Sequence, residues 1–192
     1  MEEVEVKFLE IDPEEIQKKL LVLGAKKVFD RKFCRRVFDY PDLRLDKQGA
    51  WLRVRDEGDQ ITLTFKQRLG IKSHDGSSND ESMEEIEVIV SDFEKTAEIL
   101  RKIGLEEKHY IENRRIRYLW RGIEFDLDFW PMIPPLLEIE AKSWKEIEKA
   151  IAVLGLDPSK KKIFSAYQVY AIYGVDENKY QIITFDRQVK KK

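Results

Sequence analysis

The sequence predicts an α+β domain built around a closed antiparallel β-barrel, with helices packed outside the strands. Several segments alternate apolar and charged residues, the period-2 pattern of a strand with one apolar and one charged face. Between them lie segments of helical spacing that begin with capping residues and end at glycine. A barrel with helices outside would bury the apolar faces, enclose the charged ones and leave no exposed edge.

The first two elements follow directly from this pattern. Apolar and charged residues alternate over residues 3–9, which predicts the first strand. Asp12 and Pro13 are typical of a helix start, and apolar residues at helical spacing continue to a stop at Gly24. A strand followed by a short helix is therefore expected.

The middle of the chain is predicted to form a β meander. Strands are expected at residues 26–39, 50–55, 60–67 and 83–90. Residues 70–80 lack any periodicity and are expected to form a mobile loop between paired strands that could serve as a lid.

The second half repeats this plan. Ser91 and Asp92 predict the start of a helix that ends at Gly104. Strands are expected at residues 108–120, 123–129 and 136–141, and helices at residues 143–154 and 165–173. A strand-like segment at residues 182–185 lies in the C-terminal tail.

Composition excludes several classes of protein. Binding to duplex nucleic acid is disfavoured because the formal net charge is −2 and the pI is near 5.9. We expect no membrane span, and the single Cys34 with an acidic N-terminus favours a reducing, cytoplasmic location. Cys34 is expected to be a small buried residue. His74 and His109 have no visible catalytic partner in the sequence.

Acidic residues recur in pairs on the charged strand faces. Two carboxylates of a Glu-x-Glu pair lie on one side of a strand, about 7 Å apart. A solvated strand face explains one such pair, but several converging pairs require protonation, cations or metal. Oxygen ligands favour Mg²⁺ or Mn²⁺. The residues concerned are Glu3, Glu5, Glu85, Glu87, Glu138 and Glu140, with Asp126 and Asp128 on a further strand.

Basic residues also alternate along the strands. Arginine forks grip phosphate oxygens in pairs and lysine supplies a compact charge, so several of both could hold a chain of phosphates. Cross-strand ion pairing is the alternative for any one of them. The basic set consists of Lys7, Arg53, Arg55, Lys66, Arg115 and Arg117. Acids for metal and bases for phosphates predict one site for a triphosphate-bearing small molecule or inorganic polyphosphate.

The order of these motifs resembles the CYTH superfamily, the triphosphate tunnel metalloenzymes that include class IV adenylyl cyclases, thiamine triphosphatases and inorganic triphosphatases. The matching segments are Glu3-Val4-Glu5-Val6-Lys7, which resembles the ExExK signature, then Leu52-Arg53-Val54-Arg55, Thr64-Phe65-Lys66, Glu85-Ile86-Glu87, and Asp128 followed by Glu138-Ile139-Glu140. We therefore expect residues 1–174 to form a CYTH-like tunnel domain and residues 175–192 a C-terminal extension.

The resemblance implies an eight-stranded antiparallel tunnel and assigns roles within it. The expected catalytic residues are Glu5 and Lys7. The expected substrate-binding residues are Lys7, Arg53, Arg55, Lys66, Glu85, Glu87, Arg115 and Arg117. The expected metal ligands are Glu3, Glu5, Asp126, Asp128, Glu138 and Glu140.

The sequence departs from the family pattern at a few positions. Asn113 occupies the place of a possible lysine, and residues 130–135 replace a small glycine-bearing turn. The His-Phe element that precedes ExExK in some cyclases has no counterpart, which favours a metal-dependent triphosphatase. A class IV adenylyl cyclase that forms cyclic AMP and pyrophosphate, and a non-catalytic polyphosphate-binding module, remain alternatives. A homodimer is also left open.

Overall fold

The computed structural model describes residues 4–68 and 83–191 of the chain. Its main feature is one ten-stranded sheet. The strands are β1 (Val4–Leu9), β2 (Lys26–Asp39), β3 (Ala50–Asp56), β4 (Ile61–Arg68), β5 (Met83–Val90), β6 (Glu106–Trp120), β7 (Ile123–Phe129), β8 (Leu136–Ala141), β9 (Tyr180–Ile183) and β10 (Gln188–Lys190). Glu3, His74 and the expected loop at residues 70–80 lie outside the described residues.

Five α-helices accompany the sheet in the described part of the chain. They are α1 (Pro13–Val22), α2 (Arg44–Lys47), α3 (Phe93–Lys102), α4 (Trp144–Leu154) and α5 (Ala166–Ile172), with 3-10 turns at Pro158–Lys160 and Glu177–Lys179. The expected helices all form, and α2 is an addition that the sequence pattern did not predict. The Asp39 carboxylate accepts hydrogen bonds from the backbone amides of Leu45 and Asp46, both at 3.0 Å, and so supports α2. No helix in the described part of the chain is long and apolar enough to cross a membrane.

Eight strands follow one another across the sheet in the order β1-β8-β7-β6-β2-β3-β4-β5. Every neighbouring pair in this order is antiparallel, which confirms the α+β class and the antiparallel sheet. Within the described residues β1 and β5 are not paired with each other. At Lys7 the outer edge of β1 instead exchanges two backbone hydrogen bonds with Lys162, of 2.7 and 2.8 Å.

The apolar face of the sheet is covered by helices, as expected. Buried residues of α1 and α4, including Leu20 and Ile147, pack in one core cluster with Val6 of β1 and Phe125 of β7. A second cluster joins α3 to β2 and β3. The apolar side chains of β5 are not covered in this way, because Ile86 and Val88 are 58% and 51% exposed.

Helix α5 lies on the opposite, charged face, so the expectation that all helices pack outside is wrong for this element. Its Val169 and Tyr170 contact Ile111 of β6 and Leu136 of β8. By the two-residue period of a strand, Ile111 shares its face with Arg115 on β6. An apolar stretch at this end of the charged face provides the surface on which α5 packs.

The C-terminal tail extends the sheet. β9 runs parallel to β6, with Ile182 opposite Tyr110 and Ile183 opposite Ile111, and β10 pairs with β9. Ile183 is fully buried in the same cluster as α5. The strand-like pattern in the tail therefore forms strand β9, although it begins and ends earlier than expected.

Candidate functional site

The charged face encloses a cavity of about 480 Å³. Its walls come from the sheet, from α5 and from the turn at Glu177–Lys179. The expected site residues that line it are Glu5, Lys7, Arg53, Lys66, Arg115, Asp128 and Glu138. Of the remaining described members, Arg55, Arg117, Asp126 and Glu140 lie two residues from these along the same strands. Glu85 and Glu87 lie on β5, next to β4.

The pairing of β1 with β8 assembles an acidic cluster. Glu5 lies directly opposite Glu140 and Lys7 opposite Glu138, so all four side chains lie on one face. Carboxylate oxygens of Glu5, Glu138 and Glu140 approach within 4.8 Å of one another. A set of oxygen donors at this spacing suits a hard divalent cation such as Mg²⁺ or Mn²⁺.

Lys7 holds this cluster together. Its ammonium group contacts the Glu5 carboxylate and lies 3.3 Å from an oxygen of Glu138. Burial opposes ionisation of Glu138, but the charges of Lys7 and Arg115 outweigh burial and lower the pKa of Glu138 to about 2. Glu138 is therefore anionic across the neutral pH range.

Asp126 and Asp128 are already engaged by arginines. Arg115 donates to both carboxylates at 2.6 Å, and Arg117 donates to Asp126 at 2.7 and 2.6 Å. The register of β6 with β7 places Arg115 opposite Asp128 and Arg117 opposite Asp126. Paired forks of this kind satisfy both the buried aspartates and the arginines.

A second acidic pair lies on β5, at the other end of the strand order from β1. Glu85 forms an ion pair of 2.8 Å with Lys66, directly opposite on β4. Glu87 accepts a hydrogen bond of 2.7 Å from the Thr64 hydroxyl, and its carboxylate lies 3.9 Å from Arg53. Both glutamates therefore lie next to expected phosphate-binding cations.

Arg53 of β3 is less well neutralised, because its ion pair with Glu87 is 3.9 Å long. Burial, together with the neighbouring charge of Arg55, lowers the pKa of Arg53 to about 10. The buried Nε–H groups of Arg53 and Arg55 have no hydrogen-bond partner among the described residues. Donors left open in a cavity attract an anionic ligand.

Comparison with known proteins identifies the family. The sequence matches the CYTH domain over residues 1–170. This chain belongs to the CYTH family.

Its similarity to individual CYTH proteins and related structures is moderate. A Methanocaldococcus jannaschii protein provisionally named an adenylate cyclase is 32% identical over 155 residues, which cover 80% of this chain and 84% of that protein. A solved structure from Pyrococcus horikoshii OT3 is 24% identical and covers 87% of this chain and 98% of its own, with a TM-score of 0.69. A Hippeastrum protein described as a provisional adenylyl cyclase with a dominant triphosphatase activity is 15% identical, covers 90% of this chain and 95% of its own, and has a TM-score of 0.63.

Sequence reasoning missed several residues of the cavity in this CYTH chain. Arg35, Trp51, Trp130 and Glu177 all line it. Trp51 was accessible to pattern analysis, because it lies two residues before Arg53 on the same strand face. Arg35 could not be found in this way, because β2 carries charged residues on both faces. The alternation of its side chains therefore does not show which face lines the cavity.

Two further residues considered for chemistry, His109 and Cys34, lie in the described part of the chain. His109 lines the cavity, and its Nδ1 lies 3.3 Å from the backbone oxygen of Tyr180. Burial lowers its pKa to about 4, so the ring is neutral at physiological pH. Cys34, expected to be buried, is half-buried instead, with its Sγ 3.9 Å from a carboxylate oxygen of Glu112.

Proposed function

We propose that this chain is a metal-dependent triphosphatase that hydrolyses inorganic triphosphate or a small organic triphosphate inside a closed, charged tunnel. The observation that carries this proposal is one cavity with the acidic cluster of Glu5, Glu138 and Glu140 at one wall and under-neutralised arginines at another. Membership of the CYTH family supports it.

Within the described part of the site, the set of candidate metal ligands is reduced to Glu5, Glu138 and Glu140. Their oxygens converge, whereas those of Asp126 and Asp128 accept hydrogen bonds from Arg115 and Arg117. Mg²⁺ or Mn²⁺ held by these glutamates would neutralise and polarise the phosphate oxygens.

The protein groups divide the remaining work between binding and proton transfer. Arg53, Arg55 and Lys66 bind the phosphates, and Lys7 directs its ammonium group to the terminal one. A water oxygen attacks the terminal phosphorus, the bond from that phosphorus to the bridging oxygen breaks, and Glu5 accepts the proton of the water. Inorganic triphosphate and water would yield phosphate and pyrophosphate.

Adenylyl cyclase activity is the second candidate, because the Methanocaldococcus jannaschii relative carries that name. In that reaction the ribose 3′-oxygen attacks the α-phosphorus and pyrophosphate leaves. Trp51 and Trp130 line the cavity and offer aromatic surface for a base.

A parallel assay of tripolyphosphate, thiamine triphosphate and ATP, each with Mg²⁺ and with Mn²⁺, tests these alternatives. Release of orthophosphate that requires metal supports the triphosphatase. Formation of cyclic AMP and pyrophosphate from ATP, without orthophosphate from any substrate, would replace it with the cyclase. Binding of tripolyphosphate without any turnover would indicate a non-catalytic module.

A further inference from the structure

Arg35 lies on β2 and lines the cavity. It is not among the residues that the sequence motifs assign to the cavity. Its guanidinium is stacked on Trp130, 4.4 Å from the ring centre, and donates a hydrogen bond to the side-chain oxygen of Asn113. The amide nitrogen of Asn113 in turn donates to Asp128 at 3.2 Å. A ring and an amide therefore fix the orientation of the Arg35 side chain.

Arg35 differs in its charge environment from the other cavity cations. Lys7, Lys66 and Arg115 each have a carboxylate oxygen within 3.3 Å. In the described parts of the chain no carboxylate oxygen lies within 4.0 Å of the Arg35 guanidinium. Arg35 also faces another cation, since the register of β2 with β3 places it opposite Arg55.

Arg36, the next residue on the strand, shows what a structural arginine looks like in this protein. It points to the opposite face and donates to Glu94 at 2.7 Å and to Glu107 at 2.6 Å. Both arginines stack on aromatic rings and both leave a buried Nε–H without a partner. The two differ in their carboxylates, because Arg36 has two within 2.7 Å and Arg35 has none within 4.0 Å among the described residues.

This arrangement is unfavourable for a buried cation. Burial, followed by the charges of Arg53 and Arg55, lowers the pKa of Arg35 to about 9, which still leaves it charged at neutral pH. Like charges and an open donor in a cavity favour the binding of an anion that supplies hydrogen-bond acceptors. A ligand with more than one negative charge fits this pair, because Arg35 and Arg53 both line the cavity and each has a buried Nε–H without a partner among the described residues.

We propose that Arg35 is a further substrate-binding residue, whose guanidinium binds phosphate oxygens of the triphosphate alongside Arg53. Trp130 and Asn113 hold the guanidinium in place before the ligand arrives, which reduces the entropy lost on binding. This proposal rests on the proposed function, because it takes the triphosphate as the ligand of the cavity.

Calorimetric titration with inorganic tripolyphosphate, without divalent metal, tests the proposal on the intact chain. Arg35→Gln should weaken binding on the order of tenfold to a hundredfold, because it removes a charged hydrogen-bond donor. Arg35→Lys keeps the charge but loses the planar fork, so its affinity should fall between the two. Arg36→Gln is the matched control and should leave the affinity unchanged.

Thermal melting of the same variants separates binding from folding. Arg35→Gln should melt at or above the wild-type temperature, because it relieves repulsion, whereas Arg36→Gln should melt lower. If Arg35→Gln does not fold, Arg35→Lys decides the question, since it retains the charge. Wild-type affinity in every folded variant of Arg35 overturns the proposal.

Hydrolysis measured with Mg²⁺ distinguishes failure of this proposal from failure of the proposed function. Wild-type turnover with unchanged binding in the Arg35 variants overturns the role of Arg35 alone. Binding that depends on Arg35 without any turnover overturns the triphosphatase and supports Arg35. A wild-type chain that binds no tripolyphosphate overturns both.

Discussion

Glu138 contacts two cations of the cavity and also belongs to the acidic cluster. It lies opposite Lys7 across the β1–β8 pair, accepts a contact of 3.3 Å from Arg115 and belongs to the carboxylate cluster. Its low pKa means that the carboxylate is charged across the neutral pH range. A neutral replacement of the same shape therefore isolates the contribution of that charge.

We predict that Glu138→Gln abolishes most of the metal-dependent turnover while tripolyphosphate binding without metal is kept or strengthened. The variant removes a metal ligand and also lessens repulsion toward phosphate. Hydrolysis of tripolyphosphate across a magnesium or manganese titration measures the first effect and calorimetry the second. Glu94→Gln, at a mostly exposed position of α3, is the control. Full activity with an unchanged metal optimum would refute the metal assignment.

A different outcome is expected when a cavity cation is removed. Arg53→Ala should weaken tripolyphosphate binding on the order of tenfold or more, with little change in melting temperature, because Arg53 lies among like charges. Arg114→Ala is the matched control, since Arg114 pairs with Asp30 at 2.7 Å on the other face of β6. Unchanged affinity in Arg53→Ala would remove it from the phosphate-binding set.

His109 should make the protein less stable in acid. Burial lowers its pKa from 6.5 to about 4, so between these pH values the unfolded chain binds a proton that the folded chain does not. Stability due to His109 is therefore complete above pH 6.5 and is lost as pH falls toward 4. His109→Gln should flatten this part of the profile of unfolding free energy against pH, measured by denaturant titration. An equally steep profile in the variant would show that other groups cause the loss.

Glu177 should act in the opposite direction. Burial raises its pKa from 4.5 to about 7, against the lowering effect of Arg35 and Lys108. Between these pH values the folded chain binds the extra proton, so stability falls as pH rises from 4.5 to 7. In the same denaturant titrations Glu177→Gln should remove this decline. A decline that persists in Glu177→Gln would mean that Glu177 ionises normally.

At the scale of elements, α5 and the tail decide the shape of the cavity. α5 covers the charged face where Ile111 and Leu136 make it apolar, and β9 continues the sheet beside β6. Ser165 and Ala166 at the start of α5 and Glu177 in the following turn line the cavity. The division between residues 1–174 and residues 175–192 remains a prediction, and the packing of β9 provides a way to test it.

Ile183→Ala should lower the free energy of unfolding by about 2 to 5 kcal/mol, because it leaves a space in a buried cluster. Ile182→Ala, at the half-buried neighbouring position, should cost less. Denaturant unfolding of the intact chain measures both. Equal and negligible losses would show that the tail adds little to the stability of the folded protein.

For the whole molecule, the central question is how the acidic and basic walls act together. A divalent cation that binds only the folded protein raises its melting temperature. We predict such a shift for wild type with Mn²⁺ and a smaller one for Glu138→Gln, independent of any turnover. Equal shifts in both proteins would place the cation elsewhere.

The homodimer remains a prediction, which sedimentation of the intact chain would test.

The closure of the tunnel also belongs to this scale. The series of eight paired strands ends at β1 on one side and at β5 on the other. The backbone of Lys162 forms hydrogen bonds with the free edge of β1 at Lys7. Hydrogen exchange measured residue by residue reports on the backbone amides of β5 that do not donate hydrogen bonds to β4. Slow exchange at these amides would support a closed tunnel, and exchange at the rate of an unstructured peptide would indicate an open seam.

The sequence by itself determined the elements and the main chemical groups of the site. Strand-like patterns located the eight strands that follow one another across the sheet, and caps such as Asp12, Asp92 and Ser143 marked the starts of helices. These signals are local, since they depend on backbone geometry over a few residues. The motif order also identified the family, which the match over residues 1–170 confirms.

The tertiary structure alone decided which charges meet. Alternation assigns a side chain to a face but does not select its cross-strand partner, so the pairing of Asp126 and Asp128 with Arg115 and Arg117 followed only from the register of β6 and β7. Arg35 entered the site for the same reason, because its contacts with Asn113 and Trp130 join residues that are distant in sequence. Helix α5 reached the charged face because long-range packing, which no local pattern encodes, offered it an apolar surface there.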